Sequence, residues 1–107
     1  MSISVKSLGD GQLAAAKATI YTCPTATTAI IRCISLVNTG AAARTVNLFL
    51  KSSGGTSRRI ISKDLSLGVG FLMEFDKVLT LEAADVIEGD ASAATEVDYT
   101  ISGVERT

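Results

Sequence analysis

The residues with the clearest potential for chemistry are four carboxylates near the C-terminal end, Glu82, Asp85, Glu88 and Asp90. If residues 85–91 form a strand, Glu88 and Asp90 project from one face, because side chains two positions apart lie on the same side. Such a pair could bind calcium or act as an acid and base in hydrolysis. We favour the alternative, in which they form a polar outer face beside a charged turn.

Other chemistry is disfavoured by what the sequence lacks. It contains no histidine, the commonest general base and metal ligand. Zinc would have to use Cys23 and Cys33 with carboxylates, which matches no usual structural site. The glycine-rich segments 9–11 and 52–55 lack the Lys-Ser/Thr and helix of a phosphate-binding loop, and we interpret them as turns. We therefore predict no catalytic residue, metal site or cofactor, and a protein that is not an enzyme.

The charge distribution argues against two classes of partner. Ten Lys and Arg residues face eleven Asp and Glu residues, and binding to nucleic acid or an anionic membrane needs a clustered basic surface. Arg58 and Arg59 are adjacent, but neighbours in a strand point to opposite faces. We predict no nucleic-acid and no membrane partner.

The N-terminus and the cysteines indicate synthesis in the cytoplasm. The first residues lack the basic start and apolar run of a secretion signal, and apolar runs are too short for a membrane span. Cys23 and Cys33 are expected to be free thiols, since the cytosol is reducing. A hairpin pairing 17–23 with 28–38 would also separate the two sulfurs.

Turn signals recur every eight to twelve residues or so and separate short β-rich runs, a pattern typical of a sandwich or barrel. Two segments, 45–51 and 96–102, alternate apolar and polar residues. Their inward positions predict six buried side chains: Val46, Leu48, Leu50, Val97, Tyr99 and Ile101. Residues 28–38 are apolar on both faces and should cross the middle of a sheet that is covered on both sides.

These patterns predict a single domain over residues 1–107, an all-β antiparallel β-sandwich that is jelly-roll-like. The two segments with helical character, 12–19 and 81–87, are too short to hold alone. We interpret 12–16 as an irregular approach to a strand at 17–23, and 81–85 as a turn before a strand at 85–91. The expected strands are 2–8, 17–23, 28–38, 43–51, 56–62, 70–75, 77–81, 85–91 and 96–105.

The order of several phrases supports a resemblance that covers nearly the whole chain. These phrases are GDGQL at 9–13, TIYTCP at 19–24, ISLVNT at 34–39, TVNLFLK at 45–51, LTLEAADVIEGD at 79–90 and DYTISG at 98–103. In that order they resemble the small β-sandwich virion structural proteins of tailed bacteriophages. The family's turn LEAGD has Ala84 in place of its glycine here, which weakens the expectation of a tight turn with positive φ.

The resemblance implies a virion protein, either a capsid decoration (cement) subunit or a tail-associated one. Its partners would be identical subunits, in a homo-oligomer and most readily a trimer, together with phage major capsid or tail proteins. Phe49 and Phe71, both expected off the main core, are the candidate subunit contacts.

Two other functions stay open. A carbohydrate- or receptor-binding adhesion module would need exposed aromatic rings, and the chain has two Tyr, three Phe and no Trp. A carboxylate-pair hydrolase would need a concave pocket with a raised carboxyl pKa.

Overall fold

The computed structural model describes residues 2–107, which form ten β-strands and no helix. The all-β fold predicted from alternation is confirmed. The strands are β1 (Ile3–Gln12), β2 (Ala18–Thr22), β3 (Thr28–Asn38), β4 (Arg44–Lys51), β5 (Arg58–Arg59), β6 (Leu65–Leu67), β7 (Leu72–Phe75), β8 (Leu79–Leu81), β9 (Val86–Ala91) and β10 (Val97–Arg106).

The strands make two five-stranded antiparallel sheets that pack face to face. Sheet A has the order β1-β10-β3, and β7 and β8 both pair with the far side of β3. Sheet B has the order β2-β9-β4, and β5 and β6 both pair with the far side of β4. The antiparallel sandwich is therefore as predicted.

The core lies between the two sheets and is built mainly from aliphatic side chains. Of the six positions predicted to be buried, Val46, Leu48, Val97 and Ile101 are fully buried. Leu50 and Tyr99 are half-buried and pack against the core. Alternation therefore identified the inner face of both strands correctly.

The predicted pairing of residues 17–23 with 28–38 is wrong. β2 pairs with β9 in sheet B, whereas β3 lies in sheet A between β10 and the β7/β8 pair. The connection between them crosses from one sheet to the other. Cys23 and Cys33 are nevertheless both free thiols, with Cys23 buried and Cys33 half-buried.

Several strand limits differ from the sequence prediction. The GDG segment at 9–11 is not a turn but continues β1, after a bulge between Ser7 and Gly9. Only Arg58–Arg59 of the expected strand 56–62 is formed, and β6 was not predicted. A three-residue strand offers too little periodicity to be seen in sequence.

Strand β3 is central in sheet A, as predicted, but only its inner face is covered. Its inner residues from Ala29 to Asn38 are buried, whereas Ile30 and Val37 on the outer face are half-buried. This outer face mixes Ile30 and Val37 with Thr28 and Ser35, and within residues 2–107 no further sheet or helix packs over it.

Candidate interaction surface

The outer face of sheet B is polar. The side-chain amide of Asn47, which is buried on this face, finds its hydrogen-bond partners within the chain. Asn47 of β4 is 6% exposed. Its amide nitrogen donates to Asp64 Oδ1 (3.0 Å) and Asp90 Oδ1 (2.8 Å). Its carbonyl oxygen accepts hydrogen bonds from the Asp64 backbone N–H (2.9 Å) and the Arg59 guanidinium. This network joins β4, β5, β9 and the loop before β6, so it needs no external partner.

Phe49 lies on this same face, off the main core as the alternation predicted. Its ring is only 7% exposed. Lys17 Nζ and Arg59 Cζ each lie 4.9 Å from the ring centroid, in cation–π contact. The chain's own cations therefore cover Phe49. Its role in a subunit contact stays a prediction.

The four carboxylates that the sequence analysis considered for metal binding or catalysis do not come together at one site. Asp85 accepts hydrogen bonds from the backbone N–H groups of Ser53 (2.9 Å) and Glu82 (3.0 Å) and so holds a turn. Glu88 accepts from the Ser57 hydroxyl, and Asp90 from Asn47. Glu88 and Asp90 do share the outer face of sheet B, but within residues 2–107 no group of three or more His, Cys, Asp or Glu residues could hold a metal ion.

The outer face of sheet A is mixed: exposed polar side chains such as Thr100, Ser102 and Glu74 share it with a row of aliphatic ones. Val5 of β1 lies directly across from Val104 of β10, which lies across from Ile30 of β3. We call these three residues the aliphatic row. Val5 is 83% exposed, and the other two are half-buried. Cross-strand β-branched neighbours stabilise one another, and covering such a row would remove its apolar surface from water.

The large exposed apolar residues concentrate along the two edges of sheet A. They are Ile3, Val5, Val69, Phe71, Leu72 and Val78. Of these, Val69, Phe71 and Leu72 are 51%, 68% and 55% exposed, and we call them the Phe71 patch. Three large apolar side chains exposed within four residues make this turn a candidate interaction site.

The Phe71 patch is held by a turn that the core fixes. The Phe71 N–H donates to Gly68 O (3.0 Å), and Gly70 between them has a φ of 74°, a conformation that favours glycine. Buried Asn38 anchors this turn, since its backbone carbonyl accepts from Gly70 N (2.8 Å) and its side-chain amide donates to Leu67 O (2.9 Å). The exposed ring is therefore presented on a well-supported turn.

An ionisable cluster joins the two sheets near the chain termini. Glu105 of β10 accepts a hydrogen bond from the Tyr21 hydroxyl (2.6 Å) and forms an ion pair with Lys6 (2.7 Å). The hydrogen bonds from Lys6 and Tyr21 lower the pKa of Glu105. Burial, and then the bond to Glu105, raise the pKa of Tyr21. The cluster is a structural tie between β1, β2 and β10.

The concavity near the C-terminal end of β10 is shallow, and few titratable side chains line it. It has a volume of about 470 Å³ and offers the carboxylate of Glu82 and the guanidinium of Arg106 among small side chains and Thr107. Burial raises the pKa of the Cys23 thiol, but Cys23 does not line this concavity. Among residues 2–107, no helix has the length and apolar character needed to cross a membrane.

Comparison with known proteins gives a likeness in fold. No protein-family model matches the chain, and a search of curated proteins finds no match. A subunit of the disulfide-linked pili of Bacillus endospore appendages is 20% identical, with a TM-score of 0.56 over 99% of this chain and 88% of that one. A chain of the acid-stable capsid of a Helicobacter pylori bacteriophage is 11% identical, with a TM-score of 0.55 over 98% and 87%.

A chain of infectious bursal disease virus is 16% identical, with a TM-score of 0.53 over 97% of this chain. This protein spans about a third of that viral chain, 32% of its length. At these identities the three likenesses show a shared two-sheet fold.

Of the two residues predicted as subunit contacts, only Phe71 is exposed. Phe49 lies on the outer face of sheet B, and Phe71 lies in the turn between β6 and β7. Sequence reasoning missed the aliphatic row and the rest of the Phe71 patch. The available signal was the apolar character of both faces of 28–38, which indicates that something covers the outer face.

Proposed function

We propose that this protein is a structural subunit of a bacteriophage virion, a capsid decoration (cement) or tail-associated protein that acts through protein–protein contacts. The observation that carries the proposal is the contrast between the two outer faces. The Asn47 network on sheet B is satisfied within the chain, whereas sheet A leaves Val5 of the aliphatic row and the Phe71 patch exposed to water.

The sheet topology supports this proposal. If β5 with β6, and β7 with β8, each count as one interrupted strand, the two sheets have four strands each. Successive strands then alternate between the sheets except at the step from β4 to β5/β6, which are neighbours in sheet B, and this order is compatible with a jelly roll. Jelly rolls are common in viral capsid domains, although lectins also use them. The fold likeness to chains of two viral particles agrees with this proposal.

The proposed functional form is a homo-oligomer, most readily a trimer. Near-neutral net charge allows identical subunits to pack closely. Three-fold positions on an icosahedral shell and three-fold tail fibres both accept trimers, and this part of the proposal rests on the family resemblance. The phage major capsid or tail proteins would be the second partner.

The adhesion-module alternative is less well supported. Sugar-binding sites present exposed aromatic rings for stacking. Of the two tyrosines and three phenylalanines, only Phe71 is exposed. Its neighbours Val69 and Leu72 are apolar and offer no side-chain hydrogen bonds to a sugar.

Purified particles test the proposed function. Particles of the phage whose virion genes include this one would be banded on a density gradient, then examined by mass spectrometry and cryo-electron microscopy. We expect the protein to band with the particles, in many copies over the shell if it is a decoration subunit and in few if it belongs to the tail. Its absence from infectious particles would refute the proposal.

A further inference from the structure

The four sheet edges of the molecule are not equally protected. The edge of sheet B at β2 has five residues, and the opposite edge is split into β5 and β6, of two and three residues. The far edge of sheet A is split into β7 and β8, of four and three residues. Short, interrupted strands with charged residues, such as Asp76 and Lys77 here, discourage pairing with another chain. The remaining edge, β1, runs for ten residues.

The backbone groups of β1 that face away from β10 are regularly spaced. Ser2 and Thr107 exchange two hydrogen bonds, with N–O distances of 3.2 and 2.8 Å. Antiparallel pairs alternate between hydrogen-bonded and non-bonded positions. With the register of β1 on β10 unbroken up to Ser7, the N–H and C=O groups of Ile3, Val5 and Ser7 therefore point to the open edge.

The side chains of this edge do not block pairing. A lysine on an edge strand usually deters another chain, but Lys6 is held by its ion pair with Glu105 at 2.7 Å. Ile3 and Val5 project from the outer face of sheet A and are 61% and 83% exposed. The bulge after Ser7 then ends the regular segment.

We infer that the open edge of β1 pairs antiparallel with β1 of a second copy of this chain, about a two-fold axis, and so joins two copies of sheet A into one continuous sheet. A second copy is the occupant that fits, because β1 is the longest open edge that another copy could offer in return. If Val5 lies opposite Val5 of the second copy, the outward N–H and C=O groups of Ile3, Val5 and Ser7 can all form hydrogen bonds on both strands.

This register also joins the apolar surfaces of the two copies. Val5 ends the aliphatic row at the sheet edge, so the row of one copy would continue into the row of the other across the axis. Lys6 would lie opposite Ser4 of the second copy and diagonal to its Lys6, and the ion pair of each lysine with Glu105 reduces the repulsion between them.

This contact specifies one way in which the proposed homo-oligomer could be held together. It rests on the proposed function only in that this chain assembles with itself. It adds a two-fold contact to those made by the Phe71 patch. A closed icosahedral shell contains two-fold axes as well as three-fold axes, so both contacts can serve one assembly.

Variants at Val5 test whether backbone pairing is responsible. Val5→Pro removes an N–H that faces the open edge and leaves the β10 ladder intact, whereas Val5→Ala keeps the N–H and removes only apolar side-chain atoms. By sedimentation velocity, Val5→Pro is expected to reduce the molar mass of the wild-type assembly to half or less, because every copy loses its two-fold contact. Val5→Ala should keep that mass and shift its formation to higher concentration. Thermal melts by circular dichroism establish that each variant is folded.

Crosslinking gives a second readout should Val5→Pro fail to fold. In a Cys33→Ser background, Val5→Cys should form a disulfide-linked dimer on mild oxidation, because hydrogen-bonded antiparallel pairs have a Cα separation of about 5.5 Å. Asp10→Cys is the control, since the proposed register places the two copies of residue 10 roughly 30 Å apart.

No crosslinked dimer at residue 5, or an equal yield at residue 10, would overturn the inference, as would a folded Val5→Pro variant with the wild-type mass. None of these results bears on whether the protein bands with virions. Conversely, its absence from virions would leave a β1 dimer intact, so the two proposals can fail separately.

Discussion

Asn47 illustrates how a buried amide can organise a sheet face. Both hydrogens and both lone-pair directions of its side chain are used by Asp64, Asp90 and Arg59. A buried polar group that keeps all its partners can stabilise a fold, whereas a group left without a partner is costly. Asn47 therefore fixes the loop before β6 against β4 and β9.

Replacing Asn47 with Ala is expected to lower the free energy of unfolding by about 2 kcal/mol, because the hydrogen-bond partners of the amide are left unsatisfied. Urea melts followed by circular dichroism measure the change. Gln12→Ala is the matched control, since its amide bonds one carboxylate, Asp98, at an exposed site. That variant should lose less than about 0.5 kcal/mol. Equal losses would show that the network has no special role.

Ala84 occupies a backbone conformation that alanine rarely adopts. Its φ is 71°, at the third position of the turn from Glu82 to Asp85, where the Asp85 N–H donates to Glu82 O at 3.0 Å. The family resemblance has glycine at this position, and its absence weakened the expectation of a turn with positive φ. The turn forms nonetheless, and alanine there is strained.

Ala84→Gly is therefore expected to stabilise the protein by roughly 0.5–1 kcal/mol, since relief of strain exceeds the extra entropy that glycine gives the unfolded chain. Ala83→Gly, at the preceding position where φ is not positive, should destabilise it slightly. Paired thermal melts measure both. A lower melting temperature for Ala84→Gly would mean that the turn differs from the one described.

At the scale of the elements, the cluster of Lys6, Tyr21 and Glu105 ties β1 and β10 of sheet A to β2 of sheet B. Because the pKa of Glu105 is lowered on folding, its charged form stabilises the folded state. That contribution is complete above the ordinary pKa of glutamate, about 4.3, and is lost as pH falls through the lower folded pKa.

The difference in unfolding free energy between wild type and Glu105→Gln should thus be constant near neutral pH and shrink below about pH 4. Urea melts across the acid range measure it. Glu82→Gln, an exposed carboxylate outside the cluster, should follow the wild-type profile. A difference for Glu105→Gln that grows towards acid would contradict the assigned role of the ion pair.

Sequence alternation located most strands but not their partners. Val46, Leu48, Val97 and Ile101 were placed inward correctly because a period of two follows directly from strand geometry. The partner of β2 could not be found in this way, since a five-residue connection permits either a hairpin or a crossing to the other sheet. The bulge after Ser7 likewise leaves no periodic signal.

The candidate interaction surface was predictable only in part, for the same reason. Phe71 was identified as off the core, and it is exposed. Nothing in the sequence indicated that Lys17 would lie over Phe49, because that contact depends on how sheet B is assembled. The aliphatic row likewise exists only through the registers of β1, β10 and β3.

At the scale of the whole molecule, the two outer faces differ. The buried amide on sheet B has its hydrogen-bond partners within the chain, whereas sheet A leaves large apolar side chains exposed. Burying a side chain such as Phe71 contributes roughly 1.5–3 kcal/mol, and a few such anchors usually supply most of the energy of an interface. We propose that sheet A supplies the surface through which copies of this protein assemble.

Light scattering coupled to size exclusion tests that claim most directly. At micromolar concentration we expect wild type to elute as a multiple of its 11.1 kDa subunit mass. Phe71→Ser should weaken association about 30-fold, the equivalent of 2 kcal/mol. Val86→Ser, which changes an aliphatic residue on the outer face of sheet B, should leave it unchanged. A wild-type protein that remains at 11.1 kDa throughout this range would contradict the account.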